Sequence, residues 1–485
     1  MSLRRADIRF TLPAPARRAL VLPGSEPWLD GLRQAGVEAT TDPGAAKPDL
    51  VVAPGHLLQD ALALDPELLV LEGGTSVRAL RASGRSPRVI LPLPSPERPD
   101  LLLPLGHVSA VRYALRHWRG GGPAPTRARN AVARELLARG VRLPGRAATT
   151  VAAKTDGLPF LVARALELVS SSEGDWFAGF SRFAHAYSRG AFYVFPPAEP
   201  EPAWVVKFAR TPGDDEVFER DERGLRLARD MGGAVAAHAP SLLGRFEVDG
   251  LQASVESAAT GERLAALLES TPLASSREVL DRIAAWIVEV ARETAEPTEG
   301  LAAERQRLAT ELVPRWTSAG LPPTIVEDLP PLAAVLQHGD LSGENIFVRN
   351  GGFTVVDWES AQTGEMPLWD LFYFLNEALA ISDGVRSEDE RTEHFGRLWR
   401  GELPSSQLLF RWTRELVGAA KIPAEAVGPI ATLLWLHYAT KGIGHLERVE
   451  RIEGVDQPAE TAMMRNARLW LADPALGPGW RRWLS

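Results

Sequence analysis

The sequence predicts an α+β chain of 485 residues, in which a small, mainly parallel α/β (Rossmann-like) domain precedes a segment of aromatic strands and a long helical region. Three observations carry this. Up to residue 118, short and almost wholly apolar runs alternate with helical patterns, as strands buried on both faces and their crossover helices do. Arg119 to Pro125, RGGGPAP, then breaks the pattern with glycine and proline. From about Thr149 the runs become aromatic, FYVFPP and AWVVKFAR; a charged amphipathic helix follows, and helical periodicity occupies most of the chain after Gly261.

Taken in order, RALVLP (18–23) reads as a strand, EPWLDGLRQAG (26–36) as a helix, and DLVVAP (49–54), ELLVLEGG (67–74) and RVILPLP (88–94) as three further strands. No G-x-G-x-x-G follows the first strand, so nothing in this region supports a dinucleotide or S-adenosylmethionine site. The expected organisation is a small α/β domain over 1–118, a linker over 119–148, a lobe rich in strands over 149–262 and a helical lobe over 263–485. Residues from about 120 onward are expected to fold independently.

Composition narrows the chemistry. There is no cysteine, which excludes disulfides, thiolate metal sites and cysteine nucleophiles. A formal net charge of −8 argues against nucleic-acid binding, which is driven by clustered Lys and Arg. No uncharged apolar run reaches the roughly 18 residues of a membrane span, so the expectation is a cytoplasmic protein with no membrane partner. The basic residues are almost all arginine; the lysines are Lys47, Lys154, Lys207, Lys421 and Lys441.

The informative stretch is LQHGDLSGENIFVRNGGFTVVDWE, residues 336–359. IFV and FTVV form strands, and Asn350-Gly351 between them suits a tight turn. In the resulting hairpin Asn345 immediately precedes one strand and Asp357 immediately follows the other, so an amide and a carboxylate meet at its open end. Asp340 reaches the same place from the preceding loop. Magnesium takes a few hard oxygen ligands and keeps substrate phosphates and waters for the rest, which suits Asn345 and Asp357. Asp340 can then orient an acceptor hydroxyl and take its proton.

H-G-D-L-S-G-E-N followed by V-V-D-W-E resembles the catalytic loop and metal-binding motif of the aminoglycoside phosphotransferase and choline kinase-like family, over roughly residues 149–485. The resemblance implies a bilobed protein-kinase-like fold, with Asp340 as catalytic base, Asn345 and Asp357 as magnesium ligands, His338 as a scaffold residue, and Gly364 and Asp370 in a stabilising segment. It also implies a strand lysine and a helix glutamate upstream. Lys207, in the apolar run Trp204–Phe208, is the expected lysine. Glu222 shares a helix face with Phe218 and Leu225 and is the expected glutamate, with Glu219 its nearest competitor. Ser188, Arg189 and Gly190 could turn a phosphate-covering loop, and the backbone near Glu256 and Ala258 would meet adenine. The acidic run Ser387–Glu390 reads as a solvated face rather than a pocket for a cationic acceptor. His437, Tyr438, Lys441 and His445 read as packing and surface residues.

The function so implied is transfer of the γ-phosphate of ATP, or GTP, with Mg2+ to a hydroxyl of a small molecule such as an amino sugar or sugar. A protein kinase fits less well, since no D-F-G or A-P-E follows Asp357. A catalytically silent nucleotide-binding module, serving as regulator or scaffold, is the alternative. It is weakened by the joint presence of Asp340, Asn345, Asp357 and Lys207. An acceptor pocket made of scattered helical residues leaves no spaced motif, and neither acceptor nor oligomeric state is written in any one stretch.

Overall fold

The computed structural model describes residues 2–45, 47–73, 76–119, 124–143, 147–180, 189–213, 216–453 and 460–484. The chain divides into two compact units, Met1–Glu219 with Ser241–Ala258, and Arg220–Pro240 with Ala259–Ser485. Among the described residues no helix is long and apolar enough to cross a membrane.

The first unit is built on one sheet of twelve strands: β1 (Arg18–Val21), β2 (Glu38–Thr40), β3 (Leu50–Pro54), β4 (Leu68–Glu72), β5 (Ser86–Pro94), β6 (Pro99–Pro104), β7 (Thr149–Ala153), β8 (Asp175–Phe180), β9 (Arg189–Phe195), β10 (Trp204–Ala209), β11 (Leu242–Val248) and β12 (Leu251–Ser257). Their order is β11-β12-β10-β9-β8-β6-β5-β7-β4-β3-β1-β2. The β2-β1-β3-β4 end is parallel, as expected from strands that read as continuous apolar runs. Alternate side chains explain why: Leu20, Val51 and Leu69 pack on one face with Leu58 and Leu80, while Val21, Val52 and Val70 pack on the other.

Beyond β4 every pairing is antiparallel, and here the structure departs from the expected organisation. β7 inserts between β4 and β5, with Val70 opposite Val151 and Arg88 opposite Val151 on its other side. β6 pairs with β8 through Leu101↔Gly179 and Leu102↔Ala178. The expected boundary over 119–148 therefore falls inside a continuous sheet. One apolar cluster runs from Ile8 and Phe10 through Val70 and Val151 to Phe192, Val206 and Val255. The N-terminal segment is tied into it electrostatically as well: Asp7 and Arg210, both fully buried, form an ion pair in which Arg210 Nε donates to Asp7 Oδ1 at 3.1 Å. The Phe10 ring lies 4.5 Å from that of Phe208. Instead of a bare linker, Ala124–Ala138 is helical, and its Leu137 and Ala138 are buried with Tyr113 and Phe177.

The second unit is mainly helical. It holds the three-stranded sheet of β13 (Glu262–Arg263), β15 (Ile346–Arg349) and β16 (Gly352–Val355), and the pair β14 (Val335–Gln337) and β17 (Gln362–Glu365). Its helices gather around an aromatic core in which Trp399 sits 5.3, 5.2 and 4.8 Å from Trp435, Trp470 and Trp480. Two of these buried indole N–H groups find acceptors, Trp399 Nε1 donating to Asn376 Oδ1 (3.1 Å) and Trp470 Nε1 to Thr432 Oγ1 (2.8 Å), whereas Trp435 Nε1 meets none. The acidic run is a helix start. Ser387 caps the helix Glu388–Trp399, and Glu390 returns to the Ser387 N–H at 3.0 Å.

Candidate active site

The hairpin expected from Asn350-Gly351 forms as β15 and β16, with Ile346 opposite Val355 and Arg349 opposite Gly352. Asn350 and Gly351 take φ of 48° and 79°, the doubly positive pair that a two-residue turn needs. Val356 N–H donates to Asn345 O at 2.8 Å, extending the pairing one residue past the strands. Asn345 and Asp357 therefore emerge at the same open end. Asp357 itself has φ 69°, a conformation uncommon outside glycine and held here by its neighbours. The next residue, Trp358, is buried, and its Nε1 donates to Val355 O (2.8 Å).

Asp340 is drawn to this end by Asn345, whose Nδ2 donates to Asp340 O (2.9 Å) and Oδ2 (3.1 Å). The commitment of that amide nitrogen leaves Asn345 Oδ1 as the atom available to a cation. Burial pushes the Asp340 carboxyl up to about 6, with the Lys441 charge opposing and the Asp357 charge adding to the rise. Among the described residues no group of three or more His, Asp or Glu side chains could hold a metal by itself. Two hard oxygen donors beside a carboxylate fit an ion that arrives with, and is completed by, nucleotide phosphates.

The loop is fixed from behind. Asp370, in the first turn of the helix Trp369–Ser382, accepts the backbone N–H groups of His338 (2.6 Å) and Gly339 (3.1 Å), and its own N–H donates to Gln337 Oε1 (2.6 Å). Burial pushes the Asp370 carboxyl up to about 7 against these two N–H bonds, which favour the anion. His338 is buried edge-on to Trp358, and its Nε2 lies 3.0 Å from Val356 O. Desolvation lowers its pKa to about 4, so the ring is neutral near pH 7 and donates from Nε2 to that carbonyl. These positions match the scaffold roles expected of His338 and Asp370.

The helix Val427–Glu453 contributes two groups that sequence reasoning took for packing and surface. The Tyr438 hydroxyl donates to Gly339 O at 3.1 Å, and Lys441 Nζ lies 3.4 Å from the same oxygen. Tyr438 stacks on Tyr373 at 4.2 Å. The scarcity of lysine was the one sequence signal that could have singled out Lys441. His437 does pack: it is half-buried, with its ring 5.0 Å from that of Trp369, and desolvation lowers its pKa to about 3. The side chain of His445 lies outside the described residues.

The upstream residues fall as follows. Lys207 lies on β10, and its Nζ is 3.1 Å from Glu256 Oε2, both side chains largely buried. The β10–β12 register puts Val205 opposite Glu256, so the pair is a diagonal contact on one face of the sheet. Glu256 thus brings its side chain, and not only its backbone, to the candidate set. Ala258 follows β12 and its N–H is committed to Ala203 O (2.9 Å). Glu222 lies on the helix Glu216–Met231 and pairs with Arg226 one turn on; Phe218 and Leu225 on the same helix are buried. Arg189 and Gly190 do not form a turn. They open β9, with Gly190 opposite Phe180 and Phe208. The reason is space, because a Cβ on Gly190 would come within 2.3 Å of the Phe208 ring and 2.9 Å of Phe180. Ser188 lies outside the described residues.

Residues 105–403 match the model of the phosphotransferase enzyme family. No curated protein sequence matches the chain. Among solved structures it is similar to aminoglycoside phosphotransferase APH(3'')-Id from Streptomyces rimosus, at 14% identity and a TM-score of 0.30 over 48% of this chain and 83% of that one. The same enzyme in complex with ADP and streptomycin aligns at 14% identity and TM-score 0.28, over 48% of this chain and 90% of that one. An aminoglycoside-3'-phosphotransferase of type VIII aligns at 17% identity and TM-score 0.26, over 47% and 88% respectively.

Proposed function

The chain belongs to the phosphotransferase enzyme family, and we propose that within it the protein transfers the terminal phosphoryl group of a nucleoside triphosphate, ATP or GTP, to a hydroxyl of a small molecule such as an amino sugar or sugar. The observation that carries this is the meeting of Asp340 with Asn345 at the open end of the hairpin that Asp357 closes. Asp340 orients the acceptor hydroxyl and takes its proton; a carboxyl whose pKa has risen to about 6 is a stronger base than an ordinary aspartate and is still ionised at pH 7. Asn345 Oδ1 and the Asp357 carboxylate would hold Mg2+, which when bound neutralises phosphate charge. Lys207, held by Glu256, is the cation assigned to the nucleotide phosphates, with Glu222, Arg189, Gly190, Ser188 and Ala258 as further candidates around the nucleotide. His338 and Asp370 keep the loop in shape. The reading places the enzyme in the cytoplasm, where nucleoside triphosphates are supplied.

The test has two parts. Mg-ATP or Mg-GTP should raise the melting temperature of the protein, by mass action equivalent to about 2.7 kcal/mol at a hundred times Kd. A metabolite pool offered with γ-labelled nucleotide should yield a labelled small molecule. A melting temperature indifferent to both nucleotides at millimolar concentration would sink the proposal.

A further inference from the structure

Lys441 stands beside the candidate site with no part in the chemistry proposed above. It lies on the helix Val427–Glu453, three residues after Tyr438, and its Nζ is 3.4 Å from Gly339 O, the carbonyl immediately before Asp340. Loop support does not account for it. Gly339 O already accepts the Tyr438 hydroxyl at the shorter distance of 3.1 Å, and an ammonium has three donors to place. The side chain is exposed and passes over the Tyr438 ring, Nζ 5.9 Å from its centroid. Tyr438 is in turn buried and stacked on Tyr373 with the two rings 2° from parallel, so the ammonium stands on a rigid platform. Its field reaches Asp340, His338 and Asp370 alike. In a chain that uses arginine almost everywhere else, a lysine here supplies a compact charge with rotatable donors, which suits a tetrahedral group of oxygens better than a planar fork does.

We propose that Lys441 is a further catalytic residue, its ammonium contacting the phosphoryl group as that group passes to the acceptor; this rests on the phosphotransferase reading above. In the step, the acceptor oxygen attacks the terminal phosphorus of the nucleoside triphosphate. The new O–P bond forms as the bond from phosphorus to the bridging oxygen breaks, that oxygen leaves with the electron pair on the nucleoside diphosphate, and the hydroxyl proton goes to Asp340. The three non-bridging oxygens carry their charge throughout. A cation fixed next to Asp340, and so next to the attacking oxygen, stabilises that charge more as the group moves toward the acceptor than before it leaves the nucleotide.

Water can serve as acceptor, so the test needs no identified substrate. Lys441→Met and Lys441→Arg are made in the full chain, phosphate release from Mg-ATP is measured, and Mg-ADP affinity and melting temperature are followed in parallel. Lys441→Met should slow release on the order of 10²- to 10³-fold, with Mg-ADP affinity and melting temperature unchanged because ADP lacks the group contacted. Lys441→Arg should recover at least part of the rate. Parental hydrolysis by Lys441→Met overturns the proposal, and so does a loss of Mg-ADP affinity that matches the loss of rate, which would make Lys441 structural. If Mg-ATP fails to shift the melting of the parent chain, the nucleotide reading falls first and takes this one with it.

Discussion

At the scale of single residues, the proposed reaction assigns Asp340 and Asp357 different tasks, so they should fail differently. Asp340→Asn keeps size and hydrogen bonding but cannot take a proton, so turnover should fall by about 10²- to 10⁴-fold, about 3 to 5 kcal/mol of barrier, while Mg-nucleotide affinity holds. Asp357→Ala should lose turnover and the magnesium dependence of nucleotide binding together, which calorimetric titration at several magnesium concentrations would read; unchanged binding would place the cation elsewhere. The pH dependence follows from burial of Asp340. A base acts when ionised, its pKa is raised to about 6, and so kcat/KM should fall tenfold per unit as pH drops below about 6, where an ordinary aspartate would hold to about 4. Added magnesium should move the fall to lower pH, because a nearby cation favours the carboxylate; a fall centred above pH 7 would reject Asp340 as the group titrating. The grouping of Asp340, Asn345 and Asp357 was legible in the sequence because a two-residue turn brings Asn345 and Asp357 to one end of a hairpin and Asp340 lies only five residues before Asn345. Lys441 was not, since only the tertiary placement of a helix far along the chain brings it to Gly339.

At the scale of elements, local signals served strands and helix starts well and close packing poorly. The apolar runs at 18–23, 49–54 and 67–74 contain β1, β3 and β4 within a residue or two, and the Asn-Gly turn fixed the β15–β16 register. Of the turn expected at Ser188, Arg189 and Gly190, the two described residues, Arg189 and Gly190, lie in β9, where the glycine makes room for two phenylalanine rings. Gly224 is a second case. It lies inside the charged helix Glu216–Met231, where sequence gives glycine no reason, yet a Cβ would stand 1.9 Å from Trp358 O. The helix backbone is packed directly on the residue after Asp357. Gly224→Ala should therefore force the two apart, costing about 1 to 3 kcal/mol as overpacking does, and lower turnover through displacement of Asp357. Gly418, within the helix Ser406–Ala419, has nothing within 4 Å of its Cβ position. Gly418→Ala should instead raise stability by roughly 0.5 to 1 kcal/mol. Urea melts of the two variants compare the cases directly, and equal effects would refute the packing argument at Trp358.

At the scale of the whole chain, the composition break at RGGGPAP misleads because a change of local pattern is not a change of core. Strand pairing between distant segments leaves no trace in either segment alone: Thr149–Ala153 reads as a short apolar run whether it begins a new sheet or completes an old one. The structure does the latter, placing β7 between β4 and β5, and β8 against β6. The cost of cutting there can be argued strand by strand. A chain starting at residue 120 leaves β7 with neither neighbour and β8 without β6, exposing one row of Val151 and Ala153 and another of Trp176 and Ala178, all at most 4% exposed in the intact protein. It also removes Asp7 from beside Arg210, leaving a fully buried guanidinium without that carboxylate, a change that in buried pairs costs about 3 to 5 kcal/mol. Unpaired edges of apolar sheet are templates for aggregation. The fragment 120–485 should accordingly be insoluble or melt without cooperativity, and 1–118 should fare no better with β4 and β5 left facing a gap. Co-expression of the two pieces should restore soluble protein if the sheet can close around β7. A soluble 120–485 fragment with a sharp thermal transition would show that the aromatic strands and helices hold a core of their own.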